Sequence, residues 1–165
     1  MRLFALLLAM GFATAAVSAP KTIDWMDLIP AEARNRPPPP PPPTIHDFLM
    51  GEEGPAPLLQ PGDLDVNREL DGVEIRIPGY VVPLELDPSG LVTELFLVPY
   101  FGACIHVPPP PPNQIVFVRI ERGMKVDSMY GAYWLTGRLS VKSRQTHLGA
   151  AAYTLVATNY EEYDY

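Results

Sequence analysis

Two residues stand in a spacing that suits chemistry. Cys104 and His106 are two positions apart, and on an extended backbone alternate side chains share a face, with Cα atoms about 6 to 7 Å apart. A thiolate and an imidazole form a soft and borderline pair, fitted to zinc or copper at about 2.3 Å from sulfur and about 2.0 to 2.1 Å from nitrogen. Two ligands do not complete a coordination sphere. The other histidines are His46 and His147, and Asp or Glu can supply oxygen, so a third ligand must come from a distant part of the chain or from a partner. The same pair admits nucleophilic catalysis, with His106 activating the Cys104 thiol. Alternate positions reach one shared ion more readily than they form a linear sulfur-to-nitrogen hydrogen bond, and no third orienting group is evident. No catalytic residue is assigned on this basis, and a non-enzymatic role is preferred. A third reading makes Cys104 a small buried hydrophobe.

The flanks of this pair are unusual. Tyr100 and Phe101 precede it, and Pro108, Pro109, Pro110, Pro111 and Pro112 follow it, ending in Asn113 and Gln114. Five consecutive prolines fix an extended conformation and remove five backbone donors, giving a rigid apolar ridge that cannot join a sheet ladder. Such a ridge fixes the geometry of what precedes it. It also suits a partner-binding surface together with Tyr100, Phe101, Asn113 and Gln114, or a structural loop that covers an open barrel end and seals Cys104 inside. Tyr133 and Trp134 are further aromatics able to stack on proline rings. These alternatives stay open at the level of sequence.

The elements that must position this segment read as short strands. Val73, Ile75 and Ile77 alternate with polar positions, Pro78-Gly79 interrupts, and Tyr80-Val81-Val82 resumes the pattern before Pro83. Leu91 to Val98, Gln114 to Ile120, Tyr133 to Val141 and Ala152 to Tyr160 follow, each rich in branched or aromatic residues. Gly79 and Gly137 fall inside these patterns, where glycine marks a bulge or a tight corner. Five short, bent strands predict an all-β fold, a small five-stranded OB-like barrel spanning 72–165. The helix usual between the third and fourth strands has no counterpart in Glu121 to Tyr130. Glu94, Glu121 and Asp127 read as solvated charges, and the tail Tyr160 to Tyr165 is expected to fray.

Residues 20–71 read as an N-terminal extension of short helical turns and polyproline. Ile23, Trp25, Met26, Leu28 and Ile29 give a short apolar face, Asp24 and Asp27 suit the first turn, and Pro30 closes it. One or two turns cannot be stable alone, so Trp25 and Leu28 must dock. Thr44 to Met50 offers a second short turn. Between them Pro37 to Pro43 extend as a polyproline strut of roughly 20 Å, and Gly51 to Asp71 reads as loop. Residues 1–19 read as a signal peptide: Met1-Arg2, the apolar stretch Leu3 to Val17, then Ser18-Ala19. Cleavage after Ala19 leaves Pro20 beside the cut, so Ala15 and Ala16 are alternative sites. The apolar stretch is shorter than the roughly 20 residues that span a bilayer, and no integral membrane segment is expected after cleavage. The expected location is periplasmic or secreted. There a lone cysteine cannot form an internal disulfide and must be protected or used.

Composition narrows the function classes. The chain has 165 residues, 47% of them apolar, with 12 Lys and Arg against 19 Asp and Glu and a net charge of −7. That length suits one domain. Nucleic-acid binding by an OB-like barrel needs a cationic groove beside stacking aromatics, and the acidic excess together with the export signal argues against it. No glycine-rich phosphate cradle, helical His-Glu metal motif or paired-carboxylate signature is present.

Several stretches together resemble the bacterial DUF3299 family, a secreted domain of unknown function. They are Trp25-Met26-Asp27-Leu28-Ile29-Pro30, Gly79-Tyr80-Val81-Val82-Pro83-Leu84-Glu85, the run from Leu97 through Cys104, His106 and the five prolines to Gln114, and Tyr133-Trp134-Leu135-Thr136-Gly137. The family pattern holds Cys104 and His106 but not His147, which makes His147 the weaker ligand. The resemblance implies an exported protein and a partner among envelope or ABC-transporter components, without implying an activity. Two functions therefore compete: an exported accessory protein binding zinc or copper through Cys104 and His106, and a non-enzymatic interaction module of a transporter or envelope assembly with a structural Cys104.

Overall fold

The computed structural model describes residues 19–35, 65–103, 109–128 and 131–164. The expected signal peptide to Ser18, the strut Pro37 to Pro43 and the turn Thr44 to Met50 lie outside the described residues.

Five strands close a barrel of mixed direction. They are β2 (Glu74–Leu86), β3 (Val92–Val98), β4 (Val116–Met124), β5 (Ala132–Ser140) and β8 (Tyr153–Glu162). A two-residue strand β1 (Lys21–Thr22) adds to the edge of β2, and β6 (Arg144–Thr146) with β7 (Gly149–Ala151) forms a separate hairpin. The order around the barrel is β2-β3-β4-β8-β5 and back to β2, all antiparallel except β4 with β8. That order is the OB-like barrel the strand pattern predicts. Its third and fourth strands, β4 and β5, are joined without any helix among the described residues, and helical structure is confined to short 3-10 turns.

Closure depends on β2. Its first half, Glu74 to Tyr80, pairs with β5, and its second half, Tyr80 to Leu86, pairs with β3. The changeover falls at Pro78-Gly79-Tyr80, where the sequence pattern breaks. A Cβ on Gly79 would lie 2.8 Å from Leu97 Cγ, Trp25 Cζ2 and Val98 O, so glycine is required by close approach. Gly137 marks the bulge in the β5–β8 ladder, between Thr136 and Gly137. Gly79 and Gly137 thus perform the two tasks expected of glycine in a closed sheet.

The described residues form two apolar clusters. Ile75, Ile77, Leu95, Leu97, Val116, Val118, Leu135 and Leu155 point inward at alternate positions and fill the barrel. Val82, Phe96, Val98 and Phe117 occupy the opposite face of β2, β3 and β4 and pack with Ala103, Ile115 and Ala151 in a second cluster. Strand β3 is therefore buried on both faces, which explains why Leu95-Phe96-Leu97-Val98 is apolar without alternation. Phe96 and Phe117 meet edge to face, with centroids 6.5 Å apart.

Two expectations are corrected. Glu94 is not a solvated charge: it is 8% exposed, and its Oε1 accepts from Arg119 Nε at 3.1 Å and Nη2 at 2.6 Å. The double burial of β3 makes that partner necessary. The tail does not fray at Tyr160: β8 runs to Glu162, the Tyr163 N–H donates to Ala132 O at 2.9 Å, and the Tyr163 ring stacks on Trp134 at 5.2 Å. Glu121 and Asp127 are exposed, as expected.

Candidate functional site

Cys104, His106 and Pro108 lie outside the described residues, as does His46, and the structure defines the shoulders of the segment they occupy. On one side Tyr100 and Phe101 are 43% and 46% exposed, and Phe101 meets the ring of Tyr80 edge to face at 6.0 Å. The next anchored residue, Ala103, is fully buried in the second cluster, against the outer face of β2, β3 and β4. On the other side Pro109, Pro110 and Pro112 are buried and Pro111 is half-buried. Both ends of the Cys-x-His segment are thus fixed.

The proline run ends in a knot of side-chain bonds. Pro112 opens a 3-10 turn, Pro112–Gln114, and its carbonyl accepts from the N–H of Ile115 at 3.3 Å and of Ala152 at 2.8 Å. Proline suits that first position because its missing donor would be unused there. Asn113 is 1% exposed, and its Nδ2 donates to Asp65 O at 2.9 Å. Its Oδ1 is buried without a hydrogen-bond partner among the described residues. Gln114 Nε2 donates to Trp25 O at 2.9 Å. The last two residues of the conspicuous stretch therefore tie the loop to the N-terminal extension.

That extension is held in turn by Tyr153, which the sequence did not single out. Its hydroxyl donates to Leu28 O at 2.6 Å and accepts from the Asn67 N–H at 2.6 Å. Burial raises the Tyr153 pKa above the ordinary tyrosine value, and the Asn67 bond offsets part of that rise. Asn67 adds a bond from Nδ2 to Asp27 O at 2.9 Å and caps the 3-10 turn Arg68–Leu70. The first turn, Trp25–Leu28, is closed by a reciprocal capping box between Asp24 and Asp27. Trp25 docks through its indole N–H on Pro78 O at 2.8 Å, and Leu28 is fully buried. A buried tyrosine in a strand is a recognisable signal, because its hydroxyl needs a partner.

Two further features adjoin the loop. A shallow cavity of about 200 Å³ is lined by Trp25, Pro78, Gly79, Tyr80, Pro99, Ala132 and Tyr163. Beside it the Arg76 guanidinium lies 4.1 Å from the Trp134 ring centroid and pairs with Glu161 at 2.9 Å. His147 is exposed on the turn between β6 and β7, and the neighbouring Leu148 and Ala151 pack on the same cluster as Ala103. Among the described residues no group of three or more His, Cys, Asp or Glu side chains is placed to hold a metal ion.

These features define a small OB-like barrel whose outer face over β2, β3 and β4 is covered by Ala103, Ile115 and the β6–β7 hairpin. A family model described as "Protein of unknown function (DUF3299)" matches residues 25–162, and the chain belongs to that family. It is similar to the crystal structure of a DUF3299 family protein (PA4066) from Pseudomonas aeruginosa PAO1, at 46% identity and a TM-score of 0.74, over 90% of this chain and 99% of that one. No curated protein matches.

Proposed function

We propose that this protein is an exported, periplasmic accessory protein that binds zinc or copper through Cys104 and His106. The observation that carries the reading is the anchoring of the segment on both sides, by Ala103 inside the second cluster and by the buried prolines from Pro109 onward. A ligand pair between two fixed ends loses little conformational freedom when it closes on an ion. His147 is exposed on a hairpin whose Leu148 and Ala151 pack against the same cluster, and it is a further candidate ligand, the weaker one by the family resemblance. Export rests on the charged start, apolar stretch and small residues of 1–19.

A titration with cobalt(II) or copper(II) tests this directly, since a thiolate ligand gives an intense sulfur-to-metal absorption band. The band should appear at one equivalent, vanish in Cys104→Ser and weaken in His106→Ala. Its absence at micromolar metal would overturn the reading.

The exposure of Tyr100 and Phe101 supports a second reading, an interaction module of an ABC-transporter or envelope assembly with a structural Cys104. In that case Tyr100→Ser with Phe101→Ser abolishes association with the envelope partner while the fold persists, and Cys104 resists thiol reagents in the native protein.

A further inference from the structure

We infer that the outer face of β8, between β4 and β5, binds an acidic segment of a partner polypeptide. Residues 119–144 carry six Lys and Arg against only Glu121 and Asp127, in a chain whose net charge is −7. The sheet gathers four of those cations around one strand. Val156 is the Cα partner of Arg119 on β4 and of Arg138 on β5, and directly opposed residues point to the same face. With neighbouring strands about 4.8 Å apart, the two arginine Cα atoms stand roughly 10 Å from each other with Val156 between them. Two residues along the same face, Phe117 is the partner of Thr154, and the Arg144 guanidinium lies 5.1 Å from the Phe117 ring centroid. The Thr154 hydroxyl donates to Lys142 O at 2.9 Å, which brings the Lys142 backbone beside the same strand. Val156 is 45% exposed, and Arg119, Arg138, Lys142 and Arg144 are exposed around it, so no described part of the chain covers this face.

Charge complementarity selects the occupant, as arginine clusters select acidic motifs elsewhere. Arg119, held by Glu94 at 2.6 Å, and Arg138, whose Nη1 donates to Gly72 O at 3.0 Å, frame the strip as fixed charges. Among the described residues neither Lys142 nor Arg144 makes an ion pair. Contact with Phe117 restrains the Arg144 guanidinium while leaving its N–H donors for a carboxylate, and a fork already ordered loses less freedom on pairing. The strip is one strand wide, because Glu94 stands opposite Arg119 on β3 and Glu74 opposite Arg138 on β2. A broad anionic surface such as a membrane would press on those carboxylates as well as on the cations, whereas an extended chain follows the strip between them. Nucleic acid needs exposed rings for base stacking, and Phe117 is buried beneath Arg144. The occupant is therefore an extended polypeptide with carboxylates on either side of an apolar residue that covers Val156. Neither Cys104 nor His106 takes part.

The test titrates the isotope-labelled full chain by NMR with acetyl-Glu-Asp-Ile-Asp-Glu-amide, and with the neutral isostere acetyl-Gln-Asn-Ile-Asn-Gln-amide as control. The acidic probe should shift the amide resonances of Thr154 and Val156, and added salt should weaken its binding. Affinity should fall at least about tenfold for the control and for the variant carrying Lys142→Glu with Arg144→Glu, both exposed positions whose substitution leaves the fold intact. Lys142→Glu alone, which keeps the Phe117 contact, should weaken binding in the same direction. Five results would overturn the inference: no shift with millimolar probe, equal binding of the control, unchanged affinity in both variants, shifts that grow with protein concentration alone, or shifts produced by phosphatidylglycerol vesicles and not by the peptide.

Discussion

At the scale of single residues, Tyr153 carries more than its volume suggests. Its hydroxyl satisfies one donor and one acceptor on two separate parts of the N-terminal extension. Tyr153→Phe leaves both groups without that partner and should cost about 1–3 kcal/mol in urea unfolding. Its pH dependence follows from the raised pKa. The unfolded chain loses the phenolic proton near pH 10 while the folded chain still holds it, so the unfolded state binds fewer protons and stability falls as pH rises from about 10. Tyr153→Phe should remove that alkaline decline. Gly137 is constrained by contact: a Cβ would lie 2.7 Å from Ala157 Cα, 2.8 Å from the Val156 carbonyl carbon, and against Val156 O. These are backbone atoms of the paired strand, so Gly137→Ala should cost about 3 kcal/mol, at the upper end of overpacking, as read from the midpoint of a urea melt. Both glycines announced themselves in the sequence by interrupting a period-two pattern. Glu94 did not, because the charge looks like a solvent-facing alternation until β3 is known to be covered on both faces.

At the scale of elements, the N-terminal turn is part of the fold through one face. Leu28 is fully buried, whereas Met26, expected on the apolar face, is 48% exposed on the same 3-10 turn, because so short a turn presents only one side to the barrel. Leu28→Ala should therefore destabilise by about 2–5 kcal/mol, whereas Met26→Ala should stay within about 0.5 kcal/mol; parallel denaturation curves compare them. The capping pair Asp24 and Asp27 and the need to dock Trp25 were readable from the sequence. The docking sites were not, since Pro78 and Tyr153 are distant in the chain. The five barrel strands were legible to within a few residues, through alternating branched residues bounded by Gly and Pro. The β6–β7 hairpin was missed because Arg144-Gln145-Thr146 is short and polar, and only packing of Leu148 and Ala151 reveals its role. The tail was misjudged for a related reason: an acidic stretch looks solvated until Tyr163 is seen on Trp134.

At the scale of the molecule, the barrel has its interior filled by side chains and its outer face over β2, β3 and β4 covered by its own chain. The acidic balance of the sequence argues against the cationic groove that nucleic-acid binding by such barrels needs. Cys104 and His106 were read from residue types and spacing alone, and the fold supplies only the buried residues on either side, Ala103 and Pro109. The most direct measurement is elemental analysis of the untagged, purified and desalted protein. About one zinc or copper ion per chain is expected, together with its loss in Cys104→Ser at an unchanged melting temperature of the metal-free protein. A metal-free wild-type protein, or equal metal in the Cys104→Ser variant, would contradict the account.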